Sequence, residues 1–429
     1  MEKSNTTHGL WAATATGKPG LSSLSGDHKT EIAIIGGGYT GLSAALHLAK
    51  AGKDAILLEA NDVGFGGAGR NVGLVNAGLW LMPDDVVKLV GKNYGETLIN
   101  VLGASPNMVY GIIDQYGIEC EAWHHGTLHC ADSRSGLKAL EQREKQWKKR
   151  GAPVRLLSRD EAAKKLGTKT FLGALQDDRA GTVQPLAYAY GLARAALGEG
   201  AQMYAGSPVV SMNKANGRWR LTTPGGSVEA DKVILATLGY PSGAFCDQYA
   251  NMVPFNYFQF ATKPLSKKVL ETVLPDRNGI WDTNLILSSY RLDAAGRLVI
   301  GSVGNVESFA WDLNKAWAKR SIKKAFPQIG KVDFEFAWFG RIAMTTDHIP
   351  RFHLPDENVA QVTCYNGRGI GPGTVFGKLL AQYMCDGRVS DIPLPVSEAK
   401  PIPFQGVRGA FYETGSRLYH FAQRRVPGF

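Results

Sequence analysis

The stretch from residue 31 to residue 41 constrains the fold of this chain more than any other segment. Residues 32–35 form a continuous apolar run, which is typical of a parallel strand covered on both faces. The pattern G-x-G-x-x-G follows at once, formed by Gly36, Gly38 and Gly41. The first glycine permits a tight turn, the second lets backbone approach a pyrophosphate, and the third lets helix and strand pack closely. This stretch therefore predicts the start of a dinucleotide-binding unit.

The residues that follow complete that unit. Residues 42–49 carry the apolar stripe of a helix, and a second apolar strand at 55–58 leads to Glu59. A carboxylate at this place accepts hydrogen bonds from an adenosine ribose and repels a 2′-phosphate. We therefore interpret the segment as a dinucleotide site rather than a chance glycine turn.

Two further glycine-rich segments fit the same cofactor. Residues 64–73 hold too much glycine for a helix or a strand, and they let backbone amides and Arg70 crowd a diphosphate or a flat ring. Residues 366–373 follow a predicted strand and precede a helix, but no third strand with an acidic end comes after them. We expect helix N-terminal amides there to face the electron-rich edge of a flavin. The alternative is a plain strand-to-helix turn.

Patterns further along the chain predict an α/β fold, α+β overall, with a discontinuous Rossmann-like domain. Pro185 opens a helix, Asn216-Gly217 predicts a type I′ hairpin, and residues 233–239 form another buried parallel strand. A chain of 429 residues fits two interleaved domains, the second built on antiparallel sheet. The predicted divisions are an N-terminal tail at 1–29 with Trp11 as an anchor, a cofactor domain at 30–80, 182–249 and 336–395, a substrate domain at 81–181 and 250–335, and a C-terminal extension at 396–429.

Composition limits the possible partners. The net charge of +10 suggests nucleic acid, but no nucleic-acid-binding signature accompanies it, so we predict basic sites for an anionic cofactor and substrate. Five cysteines form no paired framework, which suits a cytoplasmic location. No apolar run reaches the roughly 18 residues that a membrane helix needs, so we predict no transmembrane segment.

A predicted hairpin at 118–131 raises the alternative of a metal site. It contains three histidines and two cysteines around a turn at Gly126. Their spacing fits no standard zinc pattern, and side chains along a strand alternate between its two faces. We therefore predict no metal.

These motifs, in this order, resemble the D-amino acid oxidase-like flavoprotein family from about residue 30 to residue 395. Within the family, the chain is similar to the γ-glutamylputrescine oxidase-like branch. The motifs that carry the resemblance are Gly36–Gly41 with Glu59, Ala68–Asn71, Ala236–Gly239, Trp338–Pro350 and Gly367–Gly369, and for the branch Leu10-Trp11, Thr40–Leu48, Tyr290–Leu292 and Ala410–His420.

The resemblance implies a glutathione-reductase-type FAD fold and oxidation of a primary or secondary amine, as in polyamine breakdown. Hydride passes to flavin N5 and water then hydrolyses the imine. An alternative is a D- or L-amino acid, or N-substituted amino acid, dehydrogenase or oxidase, with oxygen, a quinone or another electron carrier as acceptor. A third reading, of another class, is a non-catalytic dinucleotide-binding or RNA-modification accessory protein.

Departures from the family pattern refine this expectation. Sarcosine oxidase-like members carry lysines where this chain has Val299 and Gly371, and a flavin-linking cysteine near Ala343. We therefore expect non-covalent FAD and a substrate other than sarcosine. No catalytic base is named, because none is required if the amine is neutral, and Asp347 and His348 are interpreted as structural.

The resemblance and the motifs together give the predicted site residues. The predicted substrate contacts, among which Arg291 or Arg341 would hold a carboxylate, are Tyr290, Arg291, Trp338, Arg341 and Asn366. The predicted cofactor contacts are Gly36, Gly38, Tyr39, Thr40, Gly41, Glu59, Ala60, Gly67, Ala68, Gly69, Arg70, Asn71, Gly73, Val209, Val210, Gly239, Gly367, Arg368, Gly369, Ile370 and Gly371.

Overall fold

Two large sheets of different kinds organise the structure, a computed structural model that describes residues 8–241, 243–245, 252–304, 310–403, 414–415 and 418–421. The strands are β1 (Gly26–Ile35), β2 (Ala55–Leu58), β3 (Leu74–Val75), β4 (Thr127–Ala131), β5 (Val154–Leu157), β6 (Gly173–Asp177), β7 (Gly181–Thr182), β8 (Gln202–Tyr204), β9 (Ser211–Ala215), β10 (Arg218–Thr223), β11 (Gly226–Leu235), β12 (Val253–Thr262), β13 (Gly279–Asp282), β14 (Ser289–Leu292), β15 (Leu298–Val303), β16 (Phe334–Met344), β17 (Arg351–Asp356) and β18 (Val359–Thr363). The helices are α1 (Leu10–Thr14), α2 (Tyr39–Lys50), α3 (Pro83–Val90), α4 (Lys92–Gly103), α5 (Ser105–Tyr116), α6 (Arg134–Lys148), α7 (Arg159–Leu166), α8 (Pro185–Gly198), α9 (Lys267–Leu270), α10 (Ala310–Ala325) and α11 (Ile370–Asp386).

The first sheet contains the predicted strand–turn–helix unit at its centre. Its order is β17-β18-β11-β1-β2-β8, and β10 and β9 extend from β11 as hairpins. Neighbours among β18, β11, β1, β2 and β8 are parallel, which is the arrangement that crossover helices produce. Helix α2 packs between α8 and α11, so the main apolar core lies between these helices and the sheet. This confirms the Rossmann-like α/β prediction.

The second sheet is mainly antiparallel, with the order β16-β12-β15-β14-β13-β4-β6-β5. Its strands come from two separate stretches of chain, so the two sheets are interleaved in sequence as predicted. Strand β16 pairs along its length with β12, for example at Trp338 opposite Gln259. The division at residue 336 therefore cuts through a strand of this sheet, and the chain returns to the first sheet only at β17.

The N-terminal stretch is more deeply integrated than a surface tail. Strand β1 begins at Gly26 and pairs with β11 from that residue onward. Trp11, in α1, is fully buried, and its Nε1 donates to the carbonyl of Asn71 at 2.8 Å. Its indole lies edge-on to Trp338, with ring centroids 5.4 Å apart. Trp11 is therefore an anchor in the core.

Of the two hairpins predicted from local turn residues, one is confirmed and one is wrong. Asn216 and Gly217 have φ of 52° and 79° between β9 and β10, which confirms the type I′ turn. The hairpin predicted at 118–131 is wrong, because only β4 forms there, beside β13 and β6. The residues between α5 and β4 form no second strand, and one of them, Trp123, forms an isolated bridge with Thr182.

No helix in the described part of the chain is both long enough and apolar enough to cross a membrane.

Candidate active site

The glycine turn after β1 forms one end of the candidate site. Gly36 has φ of +110°, and a Cβ on it would lie 2.8 Å from the carbonyl oxygen of Ala236. A Cβ on Gly41 would lie 1.9 Å from the carbonyl oxygen of Gly36. Only glycine lets the chain turn this tightly while α2 packs directly against the turn.

Glu59, just beyond β2, is tied to the same turn. Its Oε2 accepts a hydrogen bond from Gly37 N at 2.6 Å, and its Oε1 accepts one from Asn61 N at 2.8 Å. Burial raises the pKa of this carboxyl, and the hydrogen bonds from backbone amides act in the opposite direction. The carboxylate fixes the turn and also lies on the wall of the cavity described below.

The glycine-rich loop after Glu59 is cross-linked by Asn71. The Asn71 amide donates to the carbonyl oxygens of Gly67 and Ala68, at 3.0 and 2.9 Å, and accepts from Gly73 N at 2.8 Å. It also donates to the hydroxyl of Tyr39 in α2 at 3.1 Å. The loop is therefore held in one conformation against the first helix.

Arg70 stabilises the loop from behind rather than reaching into the cavity. Its guanidinium lies over the rings of Phe65 and Tyr240, 4.6 and 5.2 Å from their centroids. Its carbonyl oxygen accepts from Trp338 Nε1 at 2.9 Å. These contacts give Arg70 a packing position among aromatic rings.

One cavity of about 1120 Å³ joins these elements to the second sheet. It extends from the glycine turn along the loop to β12, β16 and the start of α11. The predicted cofactor residues on its wall are Gly36, Gly38, Tyr39, Thr40, Glu59, Ala60, Gly67, Ala68, Asn71, Val209, Gly239, Gly367, Arg368, Gly369 and Ile370.

The other predicted cofactor residues, Gly41, Gly69, Arg70, Gly73, Val210 and Gly371, are absent from the lining. The glycines among them permit close packing behind the wall. A Cβ on Gly73 would lie 2.1 Å from Val183 O, and one on Gly371 would lie 2.3 Å from Ser105 Oγ. Val210 is half exposed on the surface.

Residues 31–383 match the model of a protein family described as FAD dependent oxidoreductase, or DAO. The chain belongs to this family. It is 29% identical to γ-glutamylputrescine oxidoreductase of Escherichia coli, over 96% of this chain and 99% of that protein. It is 32% identical to the probable oxidoreductase OrdL of Haemophilus influenzae, over 87% of this chain and 86% of that protein.

Solved structures show the same fold. The L-proline dehydrogenase of P. horikoshii matches with a TM-score of 0.70 at 18% identity, over 89% of this chain and 99% of that one. The glycine oxidase of Geobacillus kaustophilus matches with a TM-score of 0.68 at 19% identity, over 83% and 95% of the two chains. Membership of the DAO family makes this chain an FAD-dependent oxidoreductase. This confirms the predicted family and enzyme class. It leaves no reason to treat the chain as a non-catalytic protein.

The cavity of this FAD-dependent oxidoreductase fits its cofactor. A Cβ on Gly38 would have one neighbour within 4 Å, Ala68 Cβ at 3.9 Å, and a Cβ on Gly369 would have none. Both glycines line the cavity at the N-termini of α2 and α11, so backbone amides there are open to approach. Helix N-termini favour anionic groups such as a diphosphate or an electron-rich ring edge.

Of the predicted substrate contacts, Arg341 and Asn366 lie on the cavity wall. The guanidinium of Arg341 lies 5.7 Å from the centroid of the Tyr240 ring. The amide of Asn366 is already engaged, since its Oδ1 accepts from Thr345 N at 2.8 Å and its Nδ2 donates to Cys364 O at 2.6 Å. Asn366 has φ of 51°, and its side chain holds the turn that precedes α11.

Tyr290, Arg291 and Trp338 are buried outside the lining. The Arg291 guanidinium donates to the carbonyl oxygen of Val183 and lies 5.3 Å from the centroid of a Trp11 ring. The geometry of these three residues supports packing roles.

Several polar groups on the wall are not among the predicted site residues, and one of them, His348, is interpreted as structural from the sequence. Tyr257 Oη, Gln259 Oε1, Trp281 Nε1 and His348 Nδ1 are buried and have no hydrogen-bond partner among the described residues. Tyr257 and Gln259 belong to β12, where alternate residues from Val253 onward face the cavity. The sequence feature that could have revealed them is Gln259, a polar residue that continues the alternate positions of Phe255 and Tyr257 along this strand.

The histidine- and cysteine-rich segment shows no metal-like arrangement. No group of three or more histidine, cysteine, aspartate or glutamate side chains suited to a metal occurs in the described ranges. His129 stacks on Trp281, with ring centroids 4.9 Å apart, and burial lowers its pKa well below the usual value. It is therefore a neutral ring packed beneath the cavity wall.

The C-terminal extension contributes to the site, which the sequence did not resolve. Gly415 and Tyr419 line the cavity. The next residue, His420, is fully buried, with Nδ1 3.0 Å from Asn314 Oδ1 and Nε2 3.1 Å from Ser302 Oγ. His420 thus ties the segment that carries Tyr419 to β15 and α10, beside the cavity.

We expect this anchor to weaken in acid. Burial lowers the pKa of His420 to about 3, whereas the unfolded residue titrates near 6.5. The stability that depends on the neutral ring is therefore fully present above pH 6.5 and declines as the pH falls toward 3, by about 2 kcal/mol at pH 5. Urea unfolding at pH 7.5 and pH 5 should show a smaller loss for His420→Gln than for the wild type. Equal losses in the two proteins would argue against the anchor.

Proposed function

We propose that this protein oxidises a primary or secondary amine with non-covalently bound FAD, most like γ-glutamylputrescine oxidase. The observation that carries the proposal is the single cavity that joins the glycine turn and Glu59 to the aromatic face of the second sheet. The resemblance to the Escherichia coli γ-glutamylputrescine oxidoreductase along nearly the whole chain supports the amine substrate.

Each wall of the cavity has its own task in this proposal. The glycine turn, Glu59 and the two helix N-termini hold the cofactor, which when bound accepts hydride from the carbon beside the amine. The rings of Trp80, Phe255 and Tyr257 line the substrate side and exclude water.

The charges on the wall favour a neutral amine. Glu59, at the cofactor end, is the one acidic side chain among the described lining residues, whereas Arg341 and Arg368 lie on the same wall. An ammonium near two arginines is disfavoured, so the pKa of a bound amine falls. The substrate then needs no dedicated catalytic base, and Arg341 is a candidate to orient it.

The test is an anaerobic absorbance titration of the purified protein. We expect γ-glutamylputrescine to bleach the visible flavin band, and putrescine and a panel of D- and L-amino acids to do so far more weakly. A protein without a flavin band, or one that the conjugate leaves oxidised, would refute the proposal.

A second candidate is an amino acid dehydrogenase that passes electrons to a quinone. The observation that favours it is that Val299 is buried in the core, and no lysine occurs among the described lining residues. Bleaching by an amino acid alone, with slow reoxidation by oxygen and fast reoxidation by a quinone, would favour this candidate.

We propose a cytoplasmic location for the protein. The thiols of Cys120, Cys130, Cys364 and Cys385 are free, which supports this proposal.

A further inference from the structure

A second, small cavity of about 20 Å³ lies behind the wall of the large one. Asn76, Trp281 and Arg368 line both cavities, whereas Arg143 and His129 line only the small one. The small cavity has space for about one water-sized group. Whatever it binds is therefore much smaller than an amine substrate or a flavin.

Two arginines bring positive charge to the small cavity. Arg143 donates to the carbonyl oxygens of Trp80 and Leu81, at 2.5 and 3.2 Å, and Arg368 donates to that of Ala77 at 2.6 Å. These acceptors are neutral, so they leave both guanidinium charges uncompensated. Burial lowers the pKa of Arg143 to about 10 and that of Arg368 to about 9, and both side chains therefore remain cations at neutral pH.

The carboxylates near these arginines have other partners. Asp177, on the wall of the small cavity, is paired with Arg179 at 2.7 Å. Asp85, which acts on Arg143 from further away, is paired with Lys88 at 3.0 Å. Within the described ranges of the chain, no carboxylate forms a salt bridge with either arginine of the small cavity. The cavity thus has an excess of positive charge.

The remaining polar groups of this wall are neutral, and two of them lack a partner. Burial and the charges of Arg143 and Arg368 lower the pKa of His129 well below its usual value, so its ring adds no charge. Arg368 Nε and Trp281 Nε1 are buried and have no hydrogen-bond partner among the described residues. A buried N–H group without a partner costs free energy, so the wall shared by the two cavities favours a ligand that accepts hydrogen bonds.

Size and charge together select the ligand of the small cavity. A water molecule fits the space and accepts a hydrogen bond, but it leaves the guanidinium charges uncompensated in a buried place. A carboxylate, phosphate or sulfate compensates the charge, but each has several heavy atoms and exceeds the space. A halide ion is a single atom, carries negative charge and accepts hydrogen bonds from several N–H groups at once.

We propose that the small cavity binds one halide ion, chloride under ordinary conditions, between Arg143, Arg368 and Trp281. The ion compensates the guanidinium charges and fixes the side chains of Arg368 and Trp281, which also form part of the wall of the large cavity. This inference goes beyond the proposed function, because it does not depend on the amine that the enzyme oxidises.

Thermal unfolding of the flavin-loaded protein in sodium bromide tests the site. Sodium gluconate, whose anion is too large for the small cavity, keeps the ionic strength constant. We expect bromide to raise the thermal midpoint saturably, by about 3 °C when its concentration is about 100 times the dissociation constant. Arg143→Gln should abolish this rise, and Arg388→Gln, which changes an exposed arginine paired with Asp386, should preserve it.

Diffraction from a bromide-soaked crystal, recorded at the bromine absorption edge, is a second test that needs no variant. We expect an anomalous peak in the small cavity, in contact with Arg143 and Arg368. The absence of that peak, or equal midpoints in bromide and gluconate, overturns the proposal. A rise that persists in Arg143→Gln also overturns it, since the ion then binds elsewhere. None of these readouts requires oxidation of an amine, so the halide site and the proposed function can fail separately.

Discussion

Gly38→Val should give a folded protein that no longer binds FAD. Gly38 has φ of −87° and ψ of −176°, a conformation that valine adopts readily. Its Cβ would meet protein only at Ala68, 3.9 Å away, so the valine side chain would occupy cavity space. We expect the stability of the apoprotein to change by about 1 kcal/mol at most, because Gly38 is also the N-cap of α2. FAD affinity should fall about 1000-fold or more, which corresponds to about 4 kcal/mol.

The measurement is the ratio of visible to ultraviolet absorbance of the purified variant, with thermal unfolding of the apoproteins beside it. Gly198→Val is the matched control, because Gly198 is exposed and its Cβ would have no neighbour within 4 Å, so FAD content should stay unchanged. Gly41→Ala should behave differently from both, since its Cβ would strike the carbonyl oxygen of Gly36 and unfold the region. Normal flavin content in Gly38→Val would show that the diphosphate does not lie on this turn.

Trp338→Ala should be the most destabilising single truncation near the site. Trp338 is fully buried, donates to the carbonyl oxygen of Arg70, and packs edge-on against Trp11. Removing the indole leaves a cavity beneath the glycine-rich loop at residues 64–73, for which we expect a loss of about 3–5 kcal/mol. The thermal midpoint should fall by about 3–6 °C, because the unfolding entropy of a chain of 429 residues is about 0.9 kcal/mol per kelvin, and FAD should be released in the same transition.

Trp338→Phe separates packing from substrate binding. It keeps most of the ring and removes one hydrogen bond, at a cost of about 1 kcal/mol. Its KM should stay near the wild-type value, because Trp338 lies behind the cavity wall. Trp123→Ala is the control for an indole that is 37% exposed, and it should lose only about 1 kcal/mol. A tenfold rise of KM in a stable Trp338→Phe variant would return this residue to the substrate site.

Local signals predicted the first sheet well because they are encoded within a few residues. The strand, turn and helix from 31 to 50 follow from apolar periodicity and from glycines whose missing Cβ is required by contacts inside the same unit. The turn at Asn216-Gly217 is likewise a property of two adjacent residues. The interleaving of the two sheets was also accessible, because strand-type patterns alternate along the chain.

The sequence could not show in the same way which arginine side chains face the cavity. Arg291 lies in a predicted strand and Arg368 lies between two glycines, but neither set of neighbours shows which of the two side chains reaches the cavity. Pairing of Arg291 with Val299 turns the first into the core, whereas Gly367, with φ of +86°, lets the second leave its turn toward the cavity. A one-residue change in register reverses the face of a strand residue, and register is set by a partner far away in sequence.

The sequence by itself determined that this chain forms a parallel nucleotide-binding sheet with a glycine turn and an acidic strand end. Those features depend on periodicity and on backbone geometry within about thirty residues of chain. The tertiary structure alone decided which side chains face the cavity, that Trp11 supports the glycine-rich loop at residues 64–73, and that Tyr419 reaches the site. These are contacts between distant segments, and they exist only after both sheets, α1 and the C-terminal extension have packed together.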